Sequence, residues 1–191
     1  MKESVRVLLT EEEVDRKIDE LGAQITRDYA GKKLHLVCVL KGGAPFMCEL
    51  AKRINLPLTM DFMSVASYEG TASTGHINLK KDLDEPVEGL DVLVVEDIID
   101  SGRTLSHLIK LLGDRKASSV KLCTLLDKPE RRVVKDIKVD YCGFNIPDAF
   151  VVGYGLDYNQ RYRNLPYIGV VEFEEENSWI SNSEEELSIW W

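Results

Sequence analysis

The sequence predicts an α/β fold in which a central, mostly parallel, twisted sheet is flanked by helices. Apolar runs of strand length alternate along the chain with segments of helical periodicity, which is the pattern of strand–helix–strand units. The strand candidates at residues 34–40 and 92–96 are almost wholly apolar, as strands covered on both faces are. Because ligands in such folds bind beyond the carboxyl ends of the strands, we expect the functional residues at that edge of the sheet.

The first part of the chain is predicted to form two helices and two strands. Thr10 and Glu13 match a capping box, so a helix is expected to begin there and to end near Gly31. Its apolar residues recur at helical spacing: Val14, Ile18, Leu21 and Ile25. The next predicted elements are a buried strand over residues 34–40, a helix over 44–54 and a strand over 58–68.

Residues 69–90 interrupt this alternation. They contain three glycines, one proline and mixed charge, so they are predicted to form a long loop or a small flap. Loops of this length in compact domains are usually functional lids or disordered segments. The remaining predicted elements are a strand over residues 92–96, a helix over 103–112 that Gly113 caps, a strand over 120–126, and shorter strands near 141–144 and 150–152.

The composition is that of a soluble globular protein, with 44% hydrophobic and 30% charged residues among 191. No apolar run approaches the roughly 18 residues that span a membrane, and the N-terminal segment turns acidic before a signal peptide could form. A cytoplasmic location without membrane association is therefore expected. No linker divides the chain, so one domain is predicted over residues 1–171, followed by an acidic tail over 172–191 that is expected to be only partly ordered.

The formal net charge of −9 is concentrated in that tail, which holds seven glutamates and neither lysine nor arginine. Of the 33 acidic residues 26 lie outside it, against 24 basic ones, so the body is nearly neutral. This charge argues against broad nucleic-acid binding, which needs a basic surface. The four cysteines form no CxxC pair and the three histidines complete no metal-ligand spacing; Cys38 and Cys123 are predicted to be buried thiols.

The strongest functional signal lies at residues 92–105, which read VLVVEDIIDSGRTL. A buried strand brings Glu96 and Asp97 to its carboxyl end, and Asp100 follows after two apolar residues. Small residues then open a helix, where backbone N–H groups and hydroxyls can face an anion. Residues 101–104 are therefore predicted to hold a phosphate. The competing interpretation is an ordinary strand–turn–helix in which Asp100 is the N-cap.

The neighbouring carboxylates narrow the choice of ligand, because they repel a phosphate unless something intervenes. A ribose diol or a divalent cation would remove the conflict, and Mg²⁺ commonly bridges one or two carboxylates and substrate phosphates. The expected ligand thus carries a phosphate and a sugar, together with a metal. The sequence contains neither GxxxxGK[ST] nor GxGxxG, so the other common nucleotide motifs are excluded.

Residues 92–105 resemble the diphosphoribose-binding signature of the phosphoribosyltransferases. Other segments are similar to those of the hypoxanthine-guanine phosphoribosyltransferases: residues 40–43 to the pyrophosphate loop, 67–75 to the mobile catalytic loop, and Lys128 with 150–163 to the purine pocket and its closing segment. The resemblance runs from about residue 5 to residue 171 and leaves the tail without a counterpart. It implies a type I phosphoribosyltransferase fold with a small hood and a mobile loop.

The resemblance also implies an activity in purine salvage. The chain would transfer the 5-phosphoribosyl group of 5-phosphoribosyl 1-diphosphate to a 6-oxopurine base, hypoxanthine or guanine, giving IMP or GMP and pyrophosphate. Asp100 would be the general base or acid at purine N7. Mg²⁺ would be the cofactor, with Glu96, Asp97 and Asp157 as ligands. The implied substrate-binding residues are Leu40, Lys41, Gly42, Ser67, Tyr68, Glu96, Asp97, Ile98, Ser101, Gly102, Arg103, Thr104, Lys128, Phe150, Val151, Asp157 and Arg163.

The roles that the resemblance implies for these residues divide between the two substrates, the base and the activated ribose. Lys128 would donate to O6 of the base, Phe150 would stack on it, and the Val151 backbone would contact its edge. Ser67 and Tyr68 would begin a lid that excludes water. On the ribose side, residues 100–104 would hold the 5′-phosphate and Glu96 and Asp97 the ribose hydroxyls. Lys41, Gly42 and Arg163 would hold the pyrophosphate, beside a Leu40–Lys41 peptide bond that is typically strained; the sequence does not decide between its cis and trans forms.

Other interpretations of the same residues stay open. Lys128 lies in a charged loop and would otherwise be a solvated lysine, Phe150 would otherwise belong to the core, and the lid segment would be an insertion without a role. The pocket residues do not choose among hypoxanthine, guanine and xanthine. A regulatory RNA-binding protein on the same fold is disfavoured by the nearly neutral body. By resemblance, the chain is expected to form a homodimer or homotetramer.

Overall fold

The computed structural model describes residues 2–66 and 78–174. These residues form two sheets, three α-helices and one 3-10 turn (Pro129–Arg131). In chain order the elements are β1 (Lys2–Leu9), α1 (Glu11–Asp28), β2 (Leu34–Leu40), α2 (Gly43–Arg53), β3 (Thr59–Ala66), β4 (Asn78–Lys81), β5 (Asp91–Ile99), α3 (Arg103–Asp114), β6 (Ser119–Asp127), β7 (Tyr141–Asn145), β8 (Val151–Val152) and β9 (Ile168–Glu174).

The larger sheet confirms the predicted central, mostly parallel arrangement. Its six strands lie in the order β4-β3-β2-β5-β6-β7, and every neighbouring pair is parallel except β3 with β4. β2 has its predicted bounds. β5 continues beyond its predicted end at Glu96 to Ile99, so that Asp97 also lies within the strand.

Helices cover both faces of this sheet. Leu93 and Val95 of β5 pack in a hydrophobic cluster with α1 and α2, whereas Val92 and Val94 pack in a second cluster with α3. Successive residues of a strand point to opposite faces. Because all four residues are fully buried, the almost wholly apolar sequence of β5 follows from its position at the centre of the molecule.

The start of α1 and its end near Gly31 agree with the sequence, but the predicted end of α3 does not. The Thr10 side chain accepts from the Glu13 backbone, the Glu13 side chain accepts from Thr10, and the four predicted apolar residues are buried. α1 ends at Asp28, and Gly31 lies in the turn beyond it. The prediction that Gly113 caps α3 is wrong, because the helix continues to Asp114 and Lys116 takes the left-handed conformation instead, with φ 63°.

A second, antiparallel sheet in the order β1-β9-β8 forms a small hood. Of its strands only β8 was anticipated by a strand-like pattern. β4 also went unpredicted, because it lies in the segment expected to be a loop. Ser67 and Tyr68, the lid around them and most of the acidic tail lie outside the described residues. Cys38 and Cys123 are buried and free, as predicted, and among the described residues no helix is long and apolar enough to cross a membrane.

Candidate active site

The carboxyl ends of the parallel strands bring most of the predicted residues to one edge of the larger sheet. β2, β5 and β6 are neighbours and end at Leu40, Ile99 and Asp127. Lys41 and Gly42 follow β2, and Lys128 follows β6. Near the end of β5 lie Glu96, Asp97 and Ile98; residues 100–102 then lead into α3, whose first residues are Arg103 and Thr104. Phe150 directly precedes β8, Val151 lies in it, and Asp157 and Arg163 follow it.

The loop between β5 and α3 is built to expose backbone donors. Gly102 is the N-cap of α3 and has φ 79°, a left-handed conformation that glycine adopts without strain. Gly102 has no side chain to cap the helix, and among the described residues only the Arg103 N–H of the first turn has a side-chain acceptor, Ser101 Oγ at 3.4 Å, so the other first-turn N–H groups stay open. The Ser101 carbonyl accepts from the backbone nitrogens of Val133 and Val134, both at 3.1 Å, which fixes the loop. An anion would meet open donors and the positive end of the helix dipole here.

Asp100 does not cap the helix, so that interpretation of it is wrong. The N-cap is Gly102, and Asp100 Oδ1 instead accepts from Arg131 Nε at 3.0 Å. Both side chains are about half exposed. Asp100 is therefore an accessible carboxylate beside the open helix start.

Glu96 and Asp97, neighbours on β5, each have a carboxyl group that is largely withdrawn from solvent. Asp97 is 9% exposed, and the Oε2 atom of Glu96 is out of contact with solvent and has no hydrogen-bond partner among the described residues. Burial raises the pKa of Glu96 well above its usual range, and the neighbouring Asp97 adds to the rise. Burial also raises the pKa of Asp97 to about 6, although hydrogen bonds from the Ile98 and Asp97 backbone and the charge of Arg163 oppose it.

Gly42 leaves room for the Asp97 carboxyl group. A Cβ atom built on Gly42 would overlap Asp97 Oδ2, so no other residue fits here unless Asp97 moves. The preceding Leu40–Lys41 peptide bond is cis, which decides the isomer that the sequence left open. The loop after β2 thus lies directly against the acidic end of β5.

The loop after β8 places a guanidinium and a carboxylate beside this acidic pair. Arg163 Nη2 pairs with Asp157 Oδ1 at 2.5 Å, and its Nη1 donates to the Gly155 carbonyl at 2.6 Å. Gln160 Oε1 accepts from both Lys41 Nζ at 3.1 Å and Arg163 Nη2 at 3.3 Å. Two cations from different loops therefore meet at one oxygen atom, an arrangement that suits an anionic ligand.

Sequence reasoning missed the residue that fastens this loop. Glu3 of β1 accepts from Arg161 with both carboxylate oxygens at 2.7 Å, and Glu3 Oε2 also accepts from Tyr162 Oη at 2.7 Å. Arg161 lies over the ring of Tyr158 as well. No local pattern indicates this contact, because 158 residues separate Glu3 from Arg161.

Lys128 is buried and not a solvated surface lysine, so that alternative is wrong. It is 9% exposed, and its backbone nitrogen donates to the Ile99 carbonyl at 3.0 Å. The nearest carboxylate is Asp148, with Oδ1 3.6 Å from Lys128 Nζ, which is beyond hydrogen-bond distance. Among the described residues the ammonium has no hydrogen-bond acceptor, so it can donate to a ligand.

Phe150 is not a core residue either, because 53% of its surface is exposed. Its ring meets Tyr158 edge to face, with the centroids 5.5 Å apart. Val151 is buried and pairs with Val170 of β9. An exposed aromatic face held by a second ring suits stacking, while the meeting of Phe150 and Lys128 on one base stays a prediction.

The carboxylates of Glu96 and Asp97 fit a divalent cation that takes only some of its coordinating atoms from the protein. Within residues 2–66 and 78–174, no three metal-binding side chains converge on one point. Asp157 is already engaged by Arg163 and by the Gln160 backbone. Glu96, with its unpartnered buried oxygen, and Asp97 remain as a pair of hard donors. Mg²⁺ is bound by one or two carboxylates, with substrate oxygens and water completing the shell.

Comparison with known proteins places the chain among similar sequences and folds. Residues 5–159 match the phosphoribosyl transferase domain family. A hypoxanthine-guanine phosphoribosyltransferase of Bacillus subtilis is 56% identical over 168 residues, 87% of this chain and 93% of that protein. The bifunctional protein TilS/HprT of Listeria monocytogenes is 58% identical over 170 residues, 88% of this chain, but the match spans only 26% of that longer protein.

A solved structure agrees with these relatives. The crystal structure of a hypoxanthine phosphoribosyltransferase from Staphylococcus aureus superposes with a TM-score of 0.84 and is 54% identical. The match covers 87% of this chain and 91% of that one. The similarity thus extends over both the sequence and the fold.

Proposed function

Because this chain belongs to the hypoxanthine-guanine phosphoribosyltransferase family, we propose that it transfers the 5-phosphoribosyl group of 5-phosphoribosyl 1-diphosphate to hypoxanthine or guanine. The products are IMP or GMP and pyrophosphate. The observation that carries the proposal is the joint placement of the buried Glu96–Asp97 pair and the open start of α3 on one strand–loop–helix unit. The pair suits a ribose with its cation, and the open helix start suits a phosphate.

On the ribose side, residues 100–104 hold the 5′-phosphate through backbone N–H groups. Glu96 and Asp97 bind the ribose hydroxyls and would hold Mg²⁺. That ion, when bound, neutralises charge on the diphosphate. Lys41 and Arg163, which already converge on Gln160 Oε1, hold the pyrophosphate. These contacts orient C1′ towards the base.

On the base side, Lys128 donates to O6 of a 6-oxopurine. Adenine is disfavoured because its amino group at that position is itself a donor. Phe150 stacks on the ring and the Val151 backbone contacts its edge. A base that lacks an acceptor at this position would leave the buried ammonium without a hydrogen-bond acceptor, which costs binding free energy.

Asp100 accepts the proton of purine N7 as a purine nitrogen bonds to C1′ and the bond from C1′ to the pyrophosphate oxygen breaks. The transition state has oxocarbenium character, as in glycoside chemistry. General acid–base catalysis contributes about 10²- to 10⁴-fold, so Asp100→Asn is expected to lower kcat by roughly a hundredfold or more. Unchanged turnover at saturating substrates would remove Asp100 from this role.

The decisive experiment is a turnover assay with the purified chain, 5-phosphoribosyl 1-diphosphate, Mg²⁺ and a panel of bases. We expect nucleotide formation with hypoxanthine and guanine, and none with adenine. Xanthine in the same panel tests for a different 6-oxopurine preference. Absence of turnover together with tight, salt-sensitive RNA binding would instead favour a regulatory protein on the same fold.

We also propose a cytoplasmic homodimer or homotetramer. The support is membership of the family and a described region without a membrane-crossing helix. Light scattering on the full chain and on a chain truncated after Phe173 would measure the assembly. A monomer at working concentration would contradict the proposal, and a smaller number of subunits after truncation would show that the acidic tail takes part.

A further inference from the structure

The carboxylate proposed as the proton acceptor is held by an arginine from another segment. Arg131 Nε donates to Asp100 Oδ1 at 3.0 Å. The other oxygen, Asp100 Oδ2, accepts no hydrogen bond from the described residues. The contact therefore orients the carboxylate and leaves one oxygen free for a substrate proton.

Backbone hydrogen bonds on either side of Asp100 and Arg131 hold the segments that carry these two residues together. Lys128 N donates to the carbonyl of Ile99, the residue before Asp100, and Val133 N donates to the carbonyl of Ser101, the residue after it. Arg131 lies between these two anchors, in the 3-10 turn Pro129–Arg131. The pairing of Arg131 with Asp100 is thus set by the docking of two segments and not by a chance meeting of long side chains.

Arg131 is in turn held by a second carboxylate. Asp148 Oδ2 is 3.5 Å from Arg131 Nη1, and Asp148 Oδ1 is 3.6 Å from Lys128 Nζ. Charges of alternating sign therefore run from Asp100 through Arg131 and Asp148 to Lys128. This row of charges links Asp100, the proposed proton acceptor, to Lys128, the proposed donor to the base.

We propose that Arg131 is a positioning residue for the reaction: it orients the Asp100 carboxylate so that Asp100 Oδ2 accepts the purine proton. This inference rests on the proposed function. Exposed ion pairs add little to folding stability, because solvent screens them and ordering two long side chains costs entropy. Loss of Arg131 should therefore lower the rate of transfer while leaving the fold intact.

The test compares Arg131→Gln with Arg131→Lys in steady-state assays with 5-phosphoribosyl 1-diphosphate, Mg²⁺ and hypoxanthine. We expect Arg131→Gln to lower kcat about tenfold and to change the KM for the diphosphate by less than twofold. Arg131→Lys keeps the charge but lacks the planar guanidinium, so it should recover part of the loss. Arg6→Gln is the matched control, because Arg6 Nε makes an equally exposed pair with Glu172 at 2.6 Å.

A double-mutant cycle with Asp100→Asn separates positioning from a structural role. If Arg131 acts through Asp100, Arg131→Gln should change the residual turnover of Asp100→Asn by less than twofold. A tenfold loss in both backgrounds, or no loss in the wild-type background, would overturn the inference. If Arg131→Gln fails to fold, Arg131→Lys in both backgrounds decides by the same criterion. Absence of turnover in the unmodified chain would refute the proposed function itself, and this inference with it.

Discussion

Gly42 and Asp97 are in such close contact that the carboxyl group occupies the space in which a side chain of residue 42 would begin. The loop after β2 and the end of β5 therefore share a single packed junction. Gly42 belongs to the candidate pyrophosphate loop, and Asp97 is a candidate ribose contact. Their spacing depends on this glycine.

Gly42→Ala is expected to displace Asp97 and to lower kcat/KM for 5-phosphoribosyl 1-diphosphate by roughly a hundredfold, since misplacement by about 1 Å at a reacting centre can cost that much. Steady-state kinetics and circular dichroism measure the two effects separately. Gly113→Ala is the control, because a Cβ there meets nothing within 4 Å and the residue lies within α3. It should leave kinetics unchanged and slightly raise stability. Equal kinetics for both variants would contradict the steric argument.

Glu96 is expected to lower stability at neutral pH in the absence of a divalent ion. Its pKa in the folded protein is raised by burial, so its favourable contribution is complete below the unfolded-state pKa and is lost as pH rises through the folded-state pKa. Glu96→Gln removes the ionisable group. Urea unfolding in a chelating buffer should show the variant more stable by about 1 kcal/mol or more at pH 7.5, the equivalent of at least about one pKa unit.

The same comparison at pH 4.5 should show little difference, because the carboxyl group is then largely protonated in the folded protein. Saturating Mg²⁺ with the diphosphate should stabilise the wild type and not the variant. An equal stability difference at both pH values would show that packing, and not ionisation, is responsible.

Lys128→Gln is expected to raise the KM for hypoxanthine by roughly 10- to 100-fold, because a hydrogen bond from a charged donor contributes about 1.5–3 kcal/mol. The KM for the diphosphate should change little. Lys138→Gln, which removes an exposed lysine paired with Asp140, is the control. A uniform rise in both KM values would place Lys128 outside the base site.

Glu3→Gln is expected to loosen the loop that carries Asp157 and Arg163. The variant weakens the bidentate pair with Arg161, so the KM for the diphosphate should rise about threefold to tenfold while kcat changes less. Glu12→Gln on the exposed face of α1 serves as the control. An unchanged KM would show that the 157–163 loop holds its shape without β1.

The sequence predicted those helices and strands that are determined by residues within the segment itself. The capping box at Thr10 and the apolar run of β2 are signals within the segments that they describe, and the predicted start of α1 and the predicted bounds of β2 are confirmed. β1 and β9 lack such a signal because they exist through each other: Val5 faces Val171 only after the chain has folded. The end of α3 was predicted wrongly because a glycine is compatible with a helix end but does not require the helix to end there.

The candidate site divides along similar lines. Glu96, Asp97 and the helix start are contiguous in sequence, so their chemistry could be anticipated. The Arg131–Asp100 and Glu3–Arg161 contacts depend on segments that meet only in the folded molecule. The left-handed backbone at Asn159, Gln160 and Tyr162 is likewise set by its surroundings, because none of these residues is a glycine.

The pairing of β1 with β9 has a topological consequence. Lys2 lies opposite Glu174, so the first and last described residues stand side by side on adjacent antiparallel strands. A short linker between Lys2 and Glu174 would convert the described part of the chain into a cyclic polypeptide that keeps every strand pairing. New ends could then be opened in an exposed turn, and the catalytic edge of the sheet, built from interior segments, would be carried over intact into such a permuted chain.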